Sequence, residues 1–377
     1  MKTAPEFAPY PVAQTPVYSR WIASGVAVLV LLSVGSVALR SSIEPRIAVI
    51  GVAFALLLWL LALLLRVLYW RFSQHNAQCY AESAEQVGQA WWKSHRQTAA
   101  LVESVLVSAV CSTAEQGLKL FSPNHQPPKP QGTPEGRSIR PCQVFGSDVA
   151  ERERNLAILL ALQWHEQRVE HSAVQPLRCY WQGSITAWHA FVEQMALCSA
   201  QIQLPEQPEP WQGLRSMDSV IDQLQGAPAS ARILCAGCQS SPVRPDSRLP
   251  AGEAALLWLF GPEGGVRFSR GEWFCADTEH LPAVVTRALQ QSELANSDQF
   301  CVLFSQPDVP DLSAVDWNTR QHTQDSNFGD LESLQAMVVQ TLAAWYAEQH
   351  QVPCAWLAND PHHTLALGII EPDDSNS

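Results

Sequence analysis

Two uncharged apolar runs near the N-terminus constrain the fold of this chain more than any other feature. They extend from Trp21 to Leu39 and from Ile47 to Leu65, and the polar break RSSIEPR separates them. Each run has about 19 residues, close to the roughly 20 that a helix needs to cross ~30 Å of hydrocarbon. A core helix of a soluble protein is usually shorter and carries a polar stripe, which neither run has. The sequence therefore predicts a transmembrane helical hairpin over residues 21–71, with spans at 21–39 and 47–68.

The basic residues around the two runs predict an orientation. Two cations lie in the break, whereas six lie in the flanks, namely Lys2, Arg20, Arg66, Arg71, Lys93 and Arg96. Because short loops rich in Lys and Arg stay on the cytoplasmic side, both termini are expected in the cytoplasm of a bacterium and the break outside its inner membrane. The chain is thus predicted to be a two-span inner-membrane protein with a large cytoplasmic part.

Aromatic and basic side chains cluster at the ends of the predicted spans. Such residues favour the boundary between hydrocarbon and water, where a long basic side chain can extend to the head groups. The predicted membrane-interface residues are Trp21, Arg66, Tyr69, Trp70 and Arg71. The lipid bilayer is therefore a predicted partner.

The charge of the remaining chain excludes one class of partner. The whole chain carries a formal charge of −12, of which residues 1–71 contribute six basic and two acidic side chains, so the rest carries −16. An acidic body repels phosphate backbones, and no nucleic-acid partner is expected. The ten cysteines are scattered without the dense spacing of a disulfide scaffold, which agrees with reduced thiols in the cytoplasm.

Proline placement divides the chain between the hairpin and the C-terminal body. Residues 1–20 contain four prolines and are predicted to be a disordered cytoplasmic tail. No proline occurs between Pro45 and Pro123, and apolar residues recur at helical spacing, which predicts a helical stalk over 72–121. Trp91 and Trp92 in this stalk are a candidate partner surface, with ordinary core packing as the alternative. Residues 122–141 hold six prolines and are predicted to be a Pro-rich linker.

The last 200 residues contain a duplicated pattern. An apolar strand, an amphipathic helix and two further apolar strands occur at CYWQG, LRSM, ILCAG and AALLWLFG, and again at CVLFSQ, LQAM, CAWLA and TLALGII. Continuous apolar strands that alternate with helices are typical of a layered α/β fold whose sheets are covered on both faces. The sequence predicts a duplicated α/β domain over 142–372, with halves of about 142–275 and 276–372.

Duplicated halves in this order resemble the thiolase and β-ketoacyl-synthase family, in which helices lie between two sheets. The segment DSNFGDLESLQA (325–336) is similar to the family's Ser-Asn-x-Gly-His turn into a helix. The segment PAGEAALLWLFGPEGG (250–265) resembles the strand pair that ends the family's first half. The resemblance covers roughly residues 140–372 and implies an acyl-thioester site made of a nucleophilic Cys at a helix N-terminus and two His.

The chain departs from that family at the reactive positions. The helix that should begin with the nucleophile reads Leu214, Arg215, Ser216 and Met217 and contains no thiol. The first His of the family pattern falls at Asp330, and the matching strand end in the second half reads Asn359-Asp360. Without a thiolate and the imidazoles that stabilise an oxyanion, a condensation has neither nucleophile nor electrostatic support. The prediction is a pseudoenzyme with no catalytic residues.

The remaining groups of Cys, Asp and His residues do not predict a cofactor or a metal site. Cys235-Ala-Gly-Cys238 has no second pair at zinc-binding spacing and ends a predicted strand, so a buried strand end is the preferred interpretation over metal or redox use. Asp360, His362 and His363 lie in a turn, where polar residues need no metal to explain them. The motifs of common hydrolases, metalloproteases and dinucleotide-binding proteins are absent from the sequence.

A membrane hairpin joined to a catalytically empty α/β domain predicts a non-enzymatic adaptor that presents this domain to a protein partner. Over its whole length the chain also resembles the membrane-anchored lipase adaptors of type VI secretion. That resemblance implies a secreted phospholipase effector and a secretion spike as partners. Two alternatives remain open: an acyl-thioester transferase with a non-standard nucleophile such as Ser216, and a structural component of an envelope complex that forms homo-oligomers through the hairpin.

Overall fold

A computed structural model describes residues 4–38, 45–133, 136–168, 174–199, 201–294, 300–305, 317, 323–360 and 362–373. Within these residues the chain divides into two compact units, one that ends at Lys93 and one that begins at Ser94. The break between the apolar runs lies mostly outside the described residues.

The N-terminal unit contains two long helices, α1 (Tyr18–Ala38) and α2 (Pro45–His95). The part of α2 up to Lys93 belongs to this unit. Both are long and apolar enough to cross a membrane by length and composition. They pack closely at Gly25, where an added Cβ would lie 2.8 Å from the ring of Trp59. The Trp59 indole N–H donates to Ser24 Oγ at 3.3 Å. Two long apolar helices therefore lie at the predicted places, and their insertion into a membrane stays a prediction.

Residues 4–17 of the predicted disordered tail contain no helix or strand, and the disorder itself stays a prediction. Tyr18 already begins α1, and the segment before it lies along the polar part of α2. The Ala13 N–H donates to Ser73 Oγ at 2.9 Å, and the rings of Tyr10 and Tyr80 lie 5.6 Å apart. Because α2 extends well beyond its apolar run, it provides a surface on which the tail can be held.

The C-terminal unit is a mixed sheet with helices on its faces. Its helices are α3 (Ala114–Lys119), α4 (Val149–Gln167), α5 (Ile185–Cys198), α6 (Leu214–Leu224), α7 (Leu281–Gln291), α8 (Asp325–Phe328) and α9 (Gln335–His350). Its strands are β1 (Ala99–Ser108), β2 (Gln131–Thr133), β3 (Gly136–Ile139), β4 (Arg178–Gln182), β5 (Glu209–Pro210), β6 (Ile233–Ser240), β7 (Ala251–Gly261), β8 (Val266–Phe268), β9 (Glu272–Phe274), β10 (Cys301–Leu303), β11 (Cys354–Ala358) and β12 (Leu365–Glu371).

The strand pairing repeats across the sheet, whose order is β10-β11-β12-β8-β1-β7-β6-β4-β5. In one half β4 lies parallel to β6, β6 lies antiparallel to β7, and β7 lies antiparallel to β1. In the other half β10 lies parallel to β11, β11 antiparallel to β12, and β12 antiparallel to β8. Both predicted copies of strand, helix, strand and strand are therefore present, and β1 joins the halves through β8.

Both faces of the sheet are buried, which gives the unit its layers. Alternate side chains of β7 belong to a central core, namely Leu256, Trp258 and Phe260, and the others to an outer core, namely Ala255, Leu257 and Leu259. The central core also holds the buried faces of α6 and α9, whereas the outer core holds α4 and α5. On the second half of the sheet, α7 packs with the outward side chains of β11 and β12. Helices thus lie between the two halves and outside each of them.

The predicted stalk over 72–121 is wrong beyond His95. The helix stops there because His95 hydrogen-bonds to the buried Glu272 at 2.8 Å and its carbonyl accepts from Gln291 Nε2 at 3.0 Å. The chain then forms β1, which pairs with β7 from Ala100 to Ser108. The β-branched residues of this stretch favour a strand, and long-range pairing outweighs its helical periodicity.

The predicted linker at 122–141 and the boundary at 142 also need correction. Residues 131–133 and 136–139 form the paired strands β2 and β3, and β3 adds to β7 at Ser138 and Ala251. The C-terminal unit therefore includes all of β1, β2 and β3. The boundary between its halves lies before β8 rather than near 275, since β8 and β9 both pair with β12.

Candidate functional site

A cavity lies where the two halves of the C-terminal unit meet. This cavity of about 610 Å³ is bordered by Gln182, the last residue of β4, and by Asn359, which follows β11. The first turns of α6 and α9 supply Leu214, Gln335 and Ala336. In open α/β sheets, ligands bind beyond the carboxyl ends of the strands, which makes this central cavity the candidate site.

The start of α6 forms one wall of the central cavity. Gly213 precedes the helix with φ 60° and ψ −133°, a conformation that favours glycine. The Gln212 N–H donates to Ser216 Oγ at 2.8 Å, so this hydroxyl satisfies a backbone donor before the helix. Gln212, Gly213 and Leu214 line the cavity, whereas Ser216 is buried and is not part of the lining.

Asp330 forms part of the opposite wall. Its N–H donates to the Pro250 carbonyl at 2.8 Å, and its own carbonyl accepts from the Gly252 N–H at 3.0 Å. Gly329, with φ 71°, makes this approach possible, because an added Cβ would lie 2.4 Å from the Pro250 oxygen. The backbone around Asp330 is therefore fixed against the start of β7.

The end of β11 brings a second carboxylate to the cavity. Asp360 Oδ1 accepts from the His362 N–H at 2.9 Å and lies 2.8 Å from His363 Nδ1. The His363 ring stacks on Trp273 with centroids 4.7 Å apart. His362 lines the cavity and is exposed. Among the described residues, no group of three or more Asp, Glu, His or Cys side chains is arranged to hold a metal ion.

The structure brings together all three sequence-predicted positions of the family-like site. Leu214, Asp330 and the pair Asn359-Asp360 line the same cavity. Sequence reasoning missed several other lining residues that come from distant elements, namely Gln182, Trp211, Glu332, Ser333, Gln335 and Gln340. Glu332, Ser333 and Gln335 lie in the segment 325–336 that resembles the family's turn into a helix, whereas Gln182, Trp211 and Gln340 carry no such signal. The described lining contains amides, carboxylates, the hydroxyl of Ser333 and the imidazole of His362, and no thiol.

The two cysteines of the C-x-x-C segment lie apart from this cavity. Both are fully buried within β6 rather than at its end, and the predicted strand end is corrected to a strand interior. Cys235 belongs to the central core and Cys238 to the outer core, so their side chains leave opposite faces of the sheet. Burial raises the pKa of both thiols well above the ordinary value. This arrangement does not suit a shared metal or a redox pair.

The predicted membrane-interface residues all lie on the hairpin. Trp21 packs with Trp59 at 6.4 Å between ring centroids. The Arg66 guanidinium lies 5.8 Å from the Tyr69 ring and donates to the Gln14 carbonyl at 2.9 Å, and the Arg71 guanidinium lies 5.9 Å from the Trp70 ring. These contacts are compatible with a membrane boundary, and the assignment stays a prediction.

The candidate partner surface on α2 is a pair of half-buried indoles. The rings of Trp91 and Trp92 lie 4.8 Å apart at 84°. This edge-to-face geometry is a common way for aromatic side chains to pack. A role of the two residues in partner binding stays a prediction.

Comparison with solved structures identifies the fold. The chain is similar to a structure described as the ishigamide ketosynthase/chain length factor, with 14% identity and a TM-score of 0.50 over 73% of this chain and 99% of that chain. It is also similar to the ketosynthase from module 1 of the bacillaene synthase of Bacillus amyloliquefaciens, with 10% identity and a TM-score of 0.48 over 75% of this chain and 77% of that chain. No protein-family model and no curated protein matches the sequence.

At 14% identity the likeness concerns the fold and not the activity. The first of these similarities agrees with the repeated strand pairing and with the helices between the two halves of the sheet. The C-terminal unit therefore has a mixed α/β fold of the thiolase-like, ketosynthase type.

Proposed function

We propose that this protein is a membrane-anchored, non-enzymatic adaptor whose ketosynthase-like unit binds a protein partner. One observation carries the proposal. The three positions at which the family resemblance expects a thiol and two imidazoles meet in one cavity, yet they hold Leu214, Asp330 and Asn359-Asp360. The layout of a reactive site is kept, but its lining holds no thiol beside the one imidazole, that of His362.

Electrostatics argues against condensation chemistry in this cavity. Decarboxylation and acyl transfer build negative charge on an oxygen, which an active site stabilises with hydrogen-bond donors or cations. Asp330, which has no ion-pair partner among the described residues, would instead repel such an anion. Two unit charges ~4 Å apart interact with roughly 4 kcal/mol at an effective dielectric constant of about 20, enough to slow a reaction about a thousandfold.

The position of Ser216 argues against the enzymatic alternative. A serine nucleophile needs an adjacent base and access to the substrate. Ser216 is 5% exposed, and its Oγ accepts a hydrogen bond from the Gln212 N–H. The Ser216 hydroxyl therefore acts as a hydrogen-bond acceptor for the backbone at the start of α6.

The features of the hairpin favour the role of a membrane anchor over that of a transport path. Its two helices are long and apolar enough to span a membrane, and their flanks are basic. We propose that both termini lie in the cytoplasm, where anchoring raises the effective concentration of the ketosynthase-like unit at the membrane and favours weak contacts. A structural role in an envelope complex would need the hairpin itself to oligomerise.

The specific partner we propose is a secreted phospholipase effector, held before transfer to a type VI secretion spike. The layout of an N-terminal hairpin and a catalytically empty body supports this version. Affinity purification of the full chain from native membranes should recover a lipase or a spike protein. Recovery of only metabolic acyl-transfer enzymes would contradict effector loading. It would not contradict the proposed role of the hairpin as a membrane anchor.

An acyl-thioester probe separates the adaptor from the enzyme. The full chain in detergent should carry no label on any cavity residue after incubation with a chloroacryl or epoxide analogue of an acyl thioester. The variant with Cys79→Ser and Cys142→Ser removes two exposed thiols that would react without catalysis. A label on Ser216 or on any side chain of the cavity would overturn the proposal and support an acyl-thioester transferase.

A further inference from the structure

The central cavity contains a buried acceptor without a donor. Gln335, the first residue of α9, is 8% exposed and lines the cavity. Its Oε1 is buried and has no hydrogen-bond partner among the described residues. A buried acceptor left without a donor costs about 1–3 kcal/mol, which a ligand with an N–H group would recover.

The charge of the side chains that line the cavity places a second requirement on a ligand. Three carboxylates line it, of which Glu332 pairs with Arg244 at 3.3 Å and Asp360 with His363 at 2.8 Å. Asp330 accepts the Glu332 N–H at 3.0 Å, and no ion pair to it is found in the part of the chain that the structure describes. Asp330 is therefore the carboxylate that remains available for a cation.

The apolar part of the lining decides what kind of cation fits. Trp211, Leu214, Ala336 and Ala366 contribute apolar surface to the cavity of about 610 Å³. The described residues include no group of side chains that could hold a metal ion. An organic cation on a short aliphatic stem satisfies both the apolar wall and the carboxylate.

We infer that the cavity binds a primary ammonium or guanidinium group on an aliphatic stem. Asp330 pairs with the charge, and Gln335 Oε1 accepts one N–H. The cation comes either from a free alkyl amine or from a Lys or Arg side chain of a partner. The inference rests on the proposed function in one respect, since it takes the cavity as a binding site rather than a condensing site.

Calorimetry on the full chain in lipid nanodiscs tests the ligand class. The probes are n-butylamine, n-butanol and butyrate, which share a stem and differ in charge. We expect butylamine to bind about tenfold or more tightly than the other two, the size of one charge-assisted hydrogen bond. Equal affinity for the three probes, or no binding of butylamine, would overturn the inference.

Variants assign the binding to this cavity. Asp330→Asn keeps an acceptor for the Glu332 N–H but removes the charge, and Gln335→Met removes the buried acceptor at similar volume. Each should weaken butylamine binding about tenfold, whereas the exposed Glu263→Gln, with the same charge change as Asp330→Asn, should leave it unchanged. Unchanged binding in both cavity variants, with unfolding midpoints like that of the parent protein, would overturn the assignment.

Two peptides identify the source of the cation. Acetyl-Gly-Gly-Lys-Gly-Gly-amide is compared with its norleucine analogue and with free agmatine. Tighter binding of the lysine peptide than of agmatine supports a partner side chain, and the reverse order supports a free amine. The proposed function can fail separately, because labelling by the acyl-thioester probe would contradict it whether or not amines bind.

Discussion

Glu253 illustrates how single residues hold the layers of this fold together. It is 1% exposed at the start of β7, and the Arg152 guanidinium from α4 meets both of its carboxylate oxygens, at 2.5 Å and 2.7 Å. Arg140 lies 3.1 Å away, and Ser240 Oγ donates at 2.6 Å. An outer helix is thus connected to a central strand through one buried carboxylate.

Replacing Glu253 by Gln should destabilise the C-terminal unit strongly. The change leaves Arg152 in a largely buried place without its counter-charge, which typically costs about 3–5 kcal/mol. Urea unfolding followed by tryptophan fluorescence measures the loss. Glu115→Gln is the matched control, since its pair with Lys119 is exposed to solvent and the change should leave the stability nearly unaltered. Equal effects of the two changes would contradict a special role for the buried pair.

The buried thiols predict a loss of stability in alkaline solution. Burial raises the pKa of Cys111 from 9.0 to about 11 and that of Cys179 to about 12. The unfolded chain loses these protons near the ordinary value while the folded chain keeps them. The stabilisation that these two buried thiols contribute is therefore fully present below about pH 9. It is lost as the pH rises through the pKa values of the thiols in the folded state.

Urea midpoints between pH 8 and pH 11 check this prediction. Cys179→Ala should reduce the decline of the free energy of unfolding by up to about 1.4 kcal/mol per pH unit. Cys142→Ala, which removes an exposed thiol, should leave the dependence of this free energy on pH unchanged. Identical slopes for both variants and the parent protein would show that other groups cause the decline.

Eleven of the 16 residues of α9 are buried, and this helix carries polar groups in the core. Thr341 has no exposed surface, and its Oγ1 accepts the Trp258 indole N–H at 2.9 Å while it donates to the Met337 carbonyl at 2.9 Å. This hydroxyl links the central helix to β7.

Thr341→Val should cost about 1–3 kcal/mol, because it keeps the shape but leaves the indole N–H of Trp258 without an acceptor. The double variant with Trp258→Phe removes the donor as well, so the combined loss should be smaller than the sum of the single losses. Thermal unfolding of the four proteins completes the cycle. Strict additivity would mean that the hydrogen bond contributes little.

Sequence reasoning succeeded for elements whose signals are local. The two apolar helices and the repeated strands follow from uninterrupted apolar runs, and α6 follows from its amphipathic pattern. It failed for β1, where AALVESVLVS fits both a helix and a strand, and where pairing with residues about 150 positions away decides the outcome. Two carboxylates of the candidate site, Asp330 and Asp360, were found through a family pattern, whereas Glu332 was missed. The acceptor of Gln335 had no signal, since its lack of a partner is a property of the packed structure.

At the scale of the whole molecule, the basic flanks of the hairpin predict its sidedness. A membrane-impermeant maleimide should label Ser42→Cys in right-side-out vesicles and should leave Cys79, which is exposed on α2, unlabelled. Inside-out vesicles should give the opposite pattern, which serves as the internal control. Labelling of Cys79 from the outside would place the C-terminal unit outside the cytoplasm and contradict the proposed location.

The extent of the C-terminal unit gives a prediction that separates the structure from the sequence-based boundary. A fragment of residues 94–377 keeps β1, whereas a fragment of residues 142–377 loses it and opens the sheet between β7 and β8. Four of the buried apolar side chains of the lost strand are larger than alanine, namely Leu101, Val105, Leu106 and Val107. At about 1.5–3 kcal/mol each, their burial is worth roughly as much as the 5–15 kcal/mol that stabilises a typical domain.

The longer fragment should therefore be monomeric and unfold cooperatively, and the shorter one should aggregate through its unpaired strand edges. Size-exclusion chromatography and circular dichroism on both fragments decide between the boundaries. A third fragment that begins at residue 94 but carries Val105→Asp places a charge at a fully buried position of β1 and should behave like the shorter one. A well-folded 142–377 fragment would mean that β1 adds to a sheet that is already complete, and the two halves would then be stable without the strand that joins them.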